Sequence, residues 1–150
     1  MKIYPTCRLV RYTRPSESFN SIENILESSY FSAWLIGFIE AESSFSVYKI
    51  KENNYIVASL DISQTNGEIL VLAIRKFLAL TPKVYKDKTK NYKLKVTSVR
   101  SIENIIKFIN KAPVKLFVRS SNKKLQYLLW IKNIRTIPRY AEKIQIPNKY

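Results

Sequence analysis

The chain has 150 residues, 46% of them apolar, and carries 26 Lys and Arg against 11 Asp and Glu, a formal net charge of +15. This is one domain's length with apolar content enough for a core, which argues against disorder, and so basic a chain points to a polyanionic partner. With no His and Cys7 as the only Cys, His-based catalysis, His/Cys zinc sites and an intramolecular disulfide are excluded.

Met1 to Ser16 holds Lys2, Arg8, Arg11 and Arg14 and no acid. It reads equally as a targeting-like leader, an arm that touches nucleic acid, or a linker; Pro5 and Pro15 argue against one continuous amphipathic helix. Ser21 to Leu26 (SIENIL) and Ser101 to Ile106 (SIENII) echo one another as helix starts, by chance or as a trace of duplication. Ser28 and Ser29 are candidate N-caps for a helix over Tyr30 to Glu42. On that helix Ala33, Gly37 and Ala41 stack at i, i+4, and a stripe of small side chains lets another backbone come close. Its strongly apolar run, Phe31 to Ile39, is well short of the ~20 residues that cross a bilayer, so a membrane protein is not expected. The helix ends in Glu40 and Glu42, where the macrodipole disfavours acid. Either two such helices deliver carboxylates to a metal, or this is a core helix with two solvated Glu. The two acids stand about 200° apart, so only one of them can serve a shared site.

Next, Ser44 to Lys51 reads as a strand, Glu52-Asn53-Asn54 as a turn, and Tyr55 to Ser63 as the return strand. In the return strand Ile56, Ala58, Leu60 and Ile62 share one face, and Val57, Ser59, Asp61 and Ser63 the other. Asn66-Gly67 breaks it, and Glu68 to Leu80 reads as a helix apolar nearly all round, expected to be well buried and stopped by Pro82. A second hairpin joins Lys83–Asp87 to Tyr92–Val99 across residues 88–91, with Tyr92, Leu94 and Val96 opposed to Lys93, Lys95 and Thr97. Ser101 opens a helix with Ile102, Ile105, Ile106 and Ile109 inward, ended by Pro113. Asn122 to Thr136 reads as the last long helix, with Leu125, Leu128 and Leu129 as its core face, and Pro138 and Pro147 bracket a tail. From Lys111 to Tyr150 there are ten Lys or Arg and one acid.

This order predicts an α+β fold, a four-stranded antiparallel sheet backed by helices with one polar face left open. On that face Ser59, Asp61, Ser63, Lys93, Lys95 and Thr97 could reach base edges and phosphates, or could simply be solvated.

The stretch Leu35-Ile36-Gly37-Phe38-Ile39-Glu40-Ala41-Glu42-Ser43 resembles the LAGLIDADG motif of homing endonucleases and group I intron maturases, with Ser43 where the motif closes on Gly. DISQTNGEI, KLKVTSVRSIENIIKF, NKKLQYLLW and RYAEKIQIPNKY resemble the C-terminal half of two-motif proteins encoded in fungal mitochondrial cytochrome b introns. The similarity runs from about Ser29 to Tyr150. It implies a single LAGLIDADG domain over 29–150 after a basic arm or linker over 1–28, with an α-β-β-α-β-β-α core whose sheet saddles nucleic acid. It implies Glu42 as a catalytic metal ligand for Mg²⁺ or another divalent ion, Gln64 beside an attacking water, and Lys123 (or Lys124, one position on) beside the phosphate. One acid holds such an ion poorly, so a second motif helix is expected, from a homodimer packed on Ala33, Gly37 and Ala41 or from an N-terminal LAGLIDADG half. The partner would be double-stranded DNA, structured intron RNA, or both, in the mitochondrion. A non-catalytic RNA-binding splicing or ribonucleoprotein component that keeps the fold is the alternative.

Overall fold

The computed structural model describes residues 21–112 and 122–147. Residues 1–20, most of the expected basic arm, lie outside them. A first short helix, α1 (Ile22–Glu27), starts at Ser21, whose Oγ accepts the Asn24 N–H at 3.1 Å. It lies before position 29, yet its Ile25 is 0% exposed and belongs to the same core as the rest.

Helix α2 (Phe31–Glu42) follows at once. Its N-cap is Tyr30, with no side-chain cap, rather than Ser28 or Ser29. Ser28 is already spent as the C-cap of α1, its N–H bonded to the Ile25 carbonyl. Phe31, Leu35, Ile36, Phe38 and Ile39 of α2 are buried. Phe31 meets Phe77 edge-on at 5.0 Å, and Trp34 stacks on Phe38 at 5.1 Å, both favoured ring geometries.

Four strands form one antiparallel sheet in the order β1-β2-β4-β3: β1 (Ser43–Lys49), β2 (Ile56–Thr65), β3 (Tyr85–Lys86) and β4 (Asn91–Val96). Both hairpins turn through left-handed Asn or Lys backbone, at Asn54 (φ 58) and Lys90 (φ 60). Strand β4 stops at Val96, which leaves the β2 backbone at Ala58 without a ladder partner on that side. The Tyr140 hydroxyl takes the vacant place. It accepts the Ala58 N–H at 3.3 Å and lies 2.7 Å from the Thr97 carbonyl and 3.2 Å from that of Ala58. Buried backbone polar groups need such partners.

Helix α3 (Glu68–Phe77) buries Val71, Ala73 and Ile74 but leaves Ile69 exposed and Leu70 half-buried, so it is not enclosed all round as expected. Its end is set by Ala79 at φ 52, with Leu80 N–H bonded to the Arg75 carbonyl and Ala79 N–H to that of Lys76. This is a Schellman cap, three residues before Pro82 could act.

Helix α4 (Val99–Lys111) buries Ile102, Ile105, Ile106 and Ile109 as expected. It opens on Ser98, not Ser101; Ser101 is buried within the first turn, its Oγ accepting the Thr81 N–H. The two SIEN segments therefore occupy different helical positions.

Helix α5 (Asn122–Thr136) turns a different face inward from the one expected. Tyr127, Trp130, Ile131 and Ile134 are buried, while Leu125, Leu128 and Leu129 are 59%, 37% and 50% exposed. The cause lies in the edge strand that α5 covers. Trp130 donates its Nε1–H to the Ser46 carbonyl of β1, and Phe45 packs between Tyr127 (5.2 Å) and Trp130 (4.9 Å). Two aromatics bury more area than leucines, and the indole N–H closes an open strand edge as well. A single-turn helix, α6 (Pro138–Ala141), delivers Tyr140.

Candidate nucleic-acid interface and carboxylate site

The end of α2 runs directly into β1 at Ser43, and the joint brings the expected catalytic residues together. Ser43 sits at φ −99, ψ 165, extended backbone that any residue adopts, so Ser in place of Gly is unstrained here. Its buried Oγ donates to the Ile39 carbonyl, satisfying one of the orphan carbonyls of the last turn. Lys123 of α5 donates its Nζ to the Ser43 carbonyl. The helix has no basic residue of its own in its last turn, so a cation from another element serves the negative end of its dipole.

Glu42 is exposed beside this joint. It lines an open groove of about 460 Å³ together with Gln64 from the end of β2, Leu70 of α3, and Ala33, Gly37 and Ala41 of α2. The small-residue stripe is thus turned outward, and a Cβ added at Gly37 would meet nothing within 4 Å. Nothing in this chain fills the groove that the stripe makes. Glu40 is half-buried and lines no part of it, consistent with the 200° that separates the two acids. Among the described residues no three His, Cys, Asp or Glu cluster as a metal site. Glu42 fits a hard divalent cation by charge and exposure, but as one carboxylate of a set that this chain does not complete.

The open sheet face is built by cross-strand rows, since opposed residues share a side. Asp61 opposes Lys95, and Ser63 opposes Lys93. Lys95 lies 3.9 Å from Asp61 and 4.5 Å above the Tyr48 ring. Lys93 pairs with Asp87 at 3.0 Å. The Thr89 hydroxyl and then Lys93 hold the Asp87 carboxyl well below the usual carboxylate range, and Asp87 in turn raises the Lys93 ammonium above its ordinary value.

Two of the expected contact residues are placed differently. Ser59 is 0% exposed, its hydroxyl 2.7 Å from that of Ser46 and 3.2 Å from Asp61, so it can position Asp61 but is not offered to a ligand. Thr97 lies just past β4, half-buried, its carbonyl committed to Tyr140. Sequence reasoning missed Ser44, Ser46 and Tyr48 of β1, which oppose Asp61, Ser59 and Val57 and so share the open face. The period-2 alternation of β1 carried that signal.

A protein-family model described as LAGLIDADG endonuclease matches residues 35–134. A curated relative, the "Probable intron-encoded endonuclease aI3" of Dictyostelium discoideum, is 30% identical over 93 residues, covering 62% of this chain and 38% of that protein. The chain therefore spans well under half the length of that relative. Among solved structures, the LAGLIDADG meganuclease I-CpaMI bound to uncleaved DNA matches with a TM-score of 0.57 at 21% identity, over 70% of this chain and 36% of its own. The archaeal intron-encoded homing endonuclease I-Vdi141I, complexed with DNA, matches with a TM-score of 0.56 at 18% identity, over 73% of this chain and 74% of its own. At these identities the structural matches speak to the fold.

Proposed function

The chain belongs to the LAGLIDADG endonuclease family, and from that premise we propose that it supplies one half of a metal-dependent DNA-cleaving site, completed by a second motif helix. The observation that carries this is the open groove along Ala33, Gly37 and Ala41 with Glu42 and Gln64 at its rim. A stripe of small residues left outside a core is shaped to receive a backbone, and a second helix laid there would bring a second carboxylate opposite Glu42. The partner is a second copy of this chain or a separate LAGLIDADG half.

Glu42 would hold Mg²⁺ or a similar divalent ion, which supplies charge stabilisation at the phosphate and a more acidic bound water. Gln64, in the same groove, is suited to orient that water through its amide. Lys123, beside the Ser43 carbonyl, is the nearby cation for charge that develops on the phosphate. The sheet face would seat the duplex, with Lys93 and Lys95 toward phosphates and Ser44, Asp61 and Ser63 toward base edges. Glu42→Gln should abolish Mg²⁺-dependent cleavage of a cognate duplex and leave duplex binding intact. Undiminished cleavage by that variant defeats the proposal.

Splicing of a group I intron, as a maturase or as a non-catalytic RNA-binding component, is a second reading. It is favoured by the basic run over α5, α6 and the tail, away from the groove. Splicing that survives Glu42→Gln while cleavage is lost would support it. The mitochondrial setting follows from the sequence resemblance.

A further inference from the structure

We propose that the cleft between the β1–β2 turn and the α5–α6 junction binds an unpaired nucleotide of a single strand, on the side of the sheet away from the open face. The cleft encloses about 400 Å³, within the ~300–1,000 Å³ of ligand sites. Its walls divide by chemistry. Tyr55, Ile56 and Pro138 supply apolar surface, and Asn133, Thr136 and Arg139 supply donors and acceptors. Tyr55 is 61% exposed, so its ring is offered to solvent. Its backbone is nonetheless fixed: the N–H donates to Asn53 Oδ1 at 3.1 Å and the carbonyl accepts the Ile50 N–H at 2.8 Å. An exposed ring held in place is a stacking platform for a base, and the amide and guanidinium beside it suit base edges and a phosphate.

Charge selects a polynucleotide over a neutral ligand. Across α5, α6 and the residues up to Pro147, Lys123, Lys124, Lys132, Arg135, Arg139 and Lys143 face Glu142 as the single acid. On the open sheet face, by contrast, Lys93 and Lys95 each stand against an aspartate, at 3.0 and 3.9 Å. A duplex keeps its bases stacked and cannot lend one to Tyr55; an unpaired strand can. Ile56 shares its strand face with Ala58 of the core, opposite to Asp61 and Ser63. Occupation of the cleft therefore leaves the open face available to duplex. The site is independent of the nuclease proposal.

The test is fluorescence anisotropy of the full chain with labelled oligouridylate, oligothymidylate of equal length, and a duplex. Tyr55→Ala should weaken single-strand binding roughly five- to hundredfold. Tyr55→Phe should keep it, Arg139→Gln should weaken it and flatten its salt dependence, and duplex binding should not change in any of the three. A preference for oligouridylate assigns RNA, and equal affinity assigns any unpaired strand; both uphold the site. Single-strand binding that is absent in the unaltered chain, or unchanged in Tyr55→Ala at an unaltered melting temperature, overturns it. Photocross-linking with thiouridine in the strand gives a second readout: linkage to the β1–β2 turn supports the site, and linkage confined to β4 overturns it.

Discussion

Tyr140 shows how one hydroxyl can stand in for a missing strand. It serves Ala58 and Thr97 where β4 has ended, and burial pushes its own ionisation upward. Tyr140→Phe leaves those backbone groups unpaired, and we expect a loss of ~1–3 kcal/mol, read as a lower melting temperature. Ala79 is the opposite case, a residue whose Cβ disfavours its own backbone at φ 52. Ala79→Gly relieves this Schellman position and should stabilise by ~1 kcal/mol, which at this length is a rise of ~2–4 °C in melting temperature. Neither residue is conspicuous in the sequence: Tyr140 bonds 82 positions back along the chain, and nothing local marks Ala79 as left-handed. Glu42 was legible, because acid at a helix C-terminus is out of place. The use of Lys123 on the Ser43 carbonyl was not, since 80 residues separate the two.

Among the elements, α2 is the one whose two sides do different work. Its Phe31, Leu35 and Ile39 side builds the core, and its Ala33, Gly37 and Ala41 side stays outside. Gly37→Leu separates the two. A side chain there meets nothing in this chain and improves helix propensity, so the protomer should be unharmed or stabilised by up to ~1 kcal/mol. A partner backbone, however, could no longer approach. Sedimentation should show loss of the paired species with the melting temperature of the protomer kept; pairing that persists in Gly37→Leu would remove the stripe from the interface. The β3–β4 hairpin carries a pH dependence. Asp87 has its carboxyl lowered in the fold, so its contribution is present above the ordinary carboxylate range and fades as pH falls below it. Lys93 is raised, so its share is present at neutral pH and fades only as pH climbs past the ordinary lysine value. Amide exchange in the hairpin should therefore quicken in acid in the unaltered chain, and Asp87→Asn should remove that acid dependence.

At the scale of the molecule, a net charge of +15 must act mainly through phosphates. If about 6–10 are neutralised, duplex affinity should fall roughly 10³–10⁵-fold between 50 and 200 mM salt, with a linear log–log slope. Binding indifferent to salt would mean that the charge serves something else. By itself the amino-acid order determined where the strands and most helices lie, which face of each hairpin is polar, and the acid-ended helix with its small-residue stripe. Those features are periodicities of 2 and 3.6, written into neighbours in the chain. Only the tertiary structure decided that the stripe points outward, and that Ser59 is sealed beneath Asp61. It also decided that α5 buries Tyr127 and Trp130 rather than Leu125, Leu128 and Leu129. Each of these depends on what a distant surface presents. An uncovered strand edge draws an indole N–H that a leucine cannot offer, and a hydroxyl is exposed or buried according to the neighbour that reaches it first.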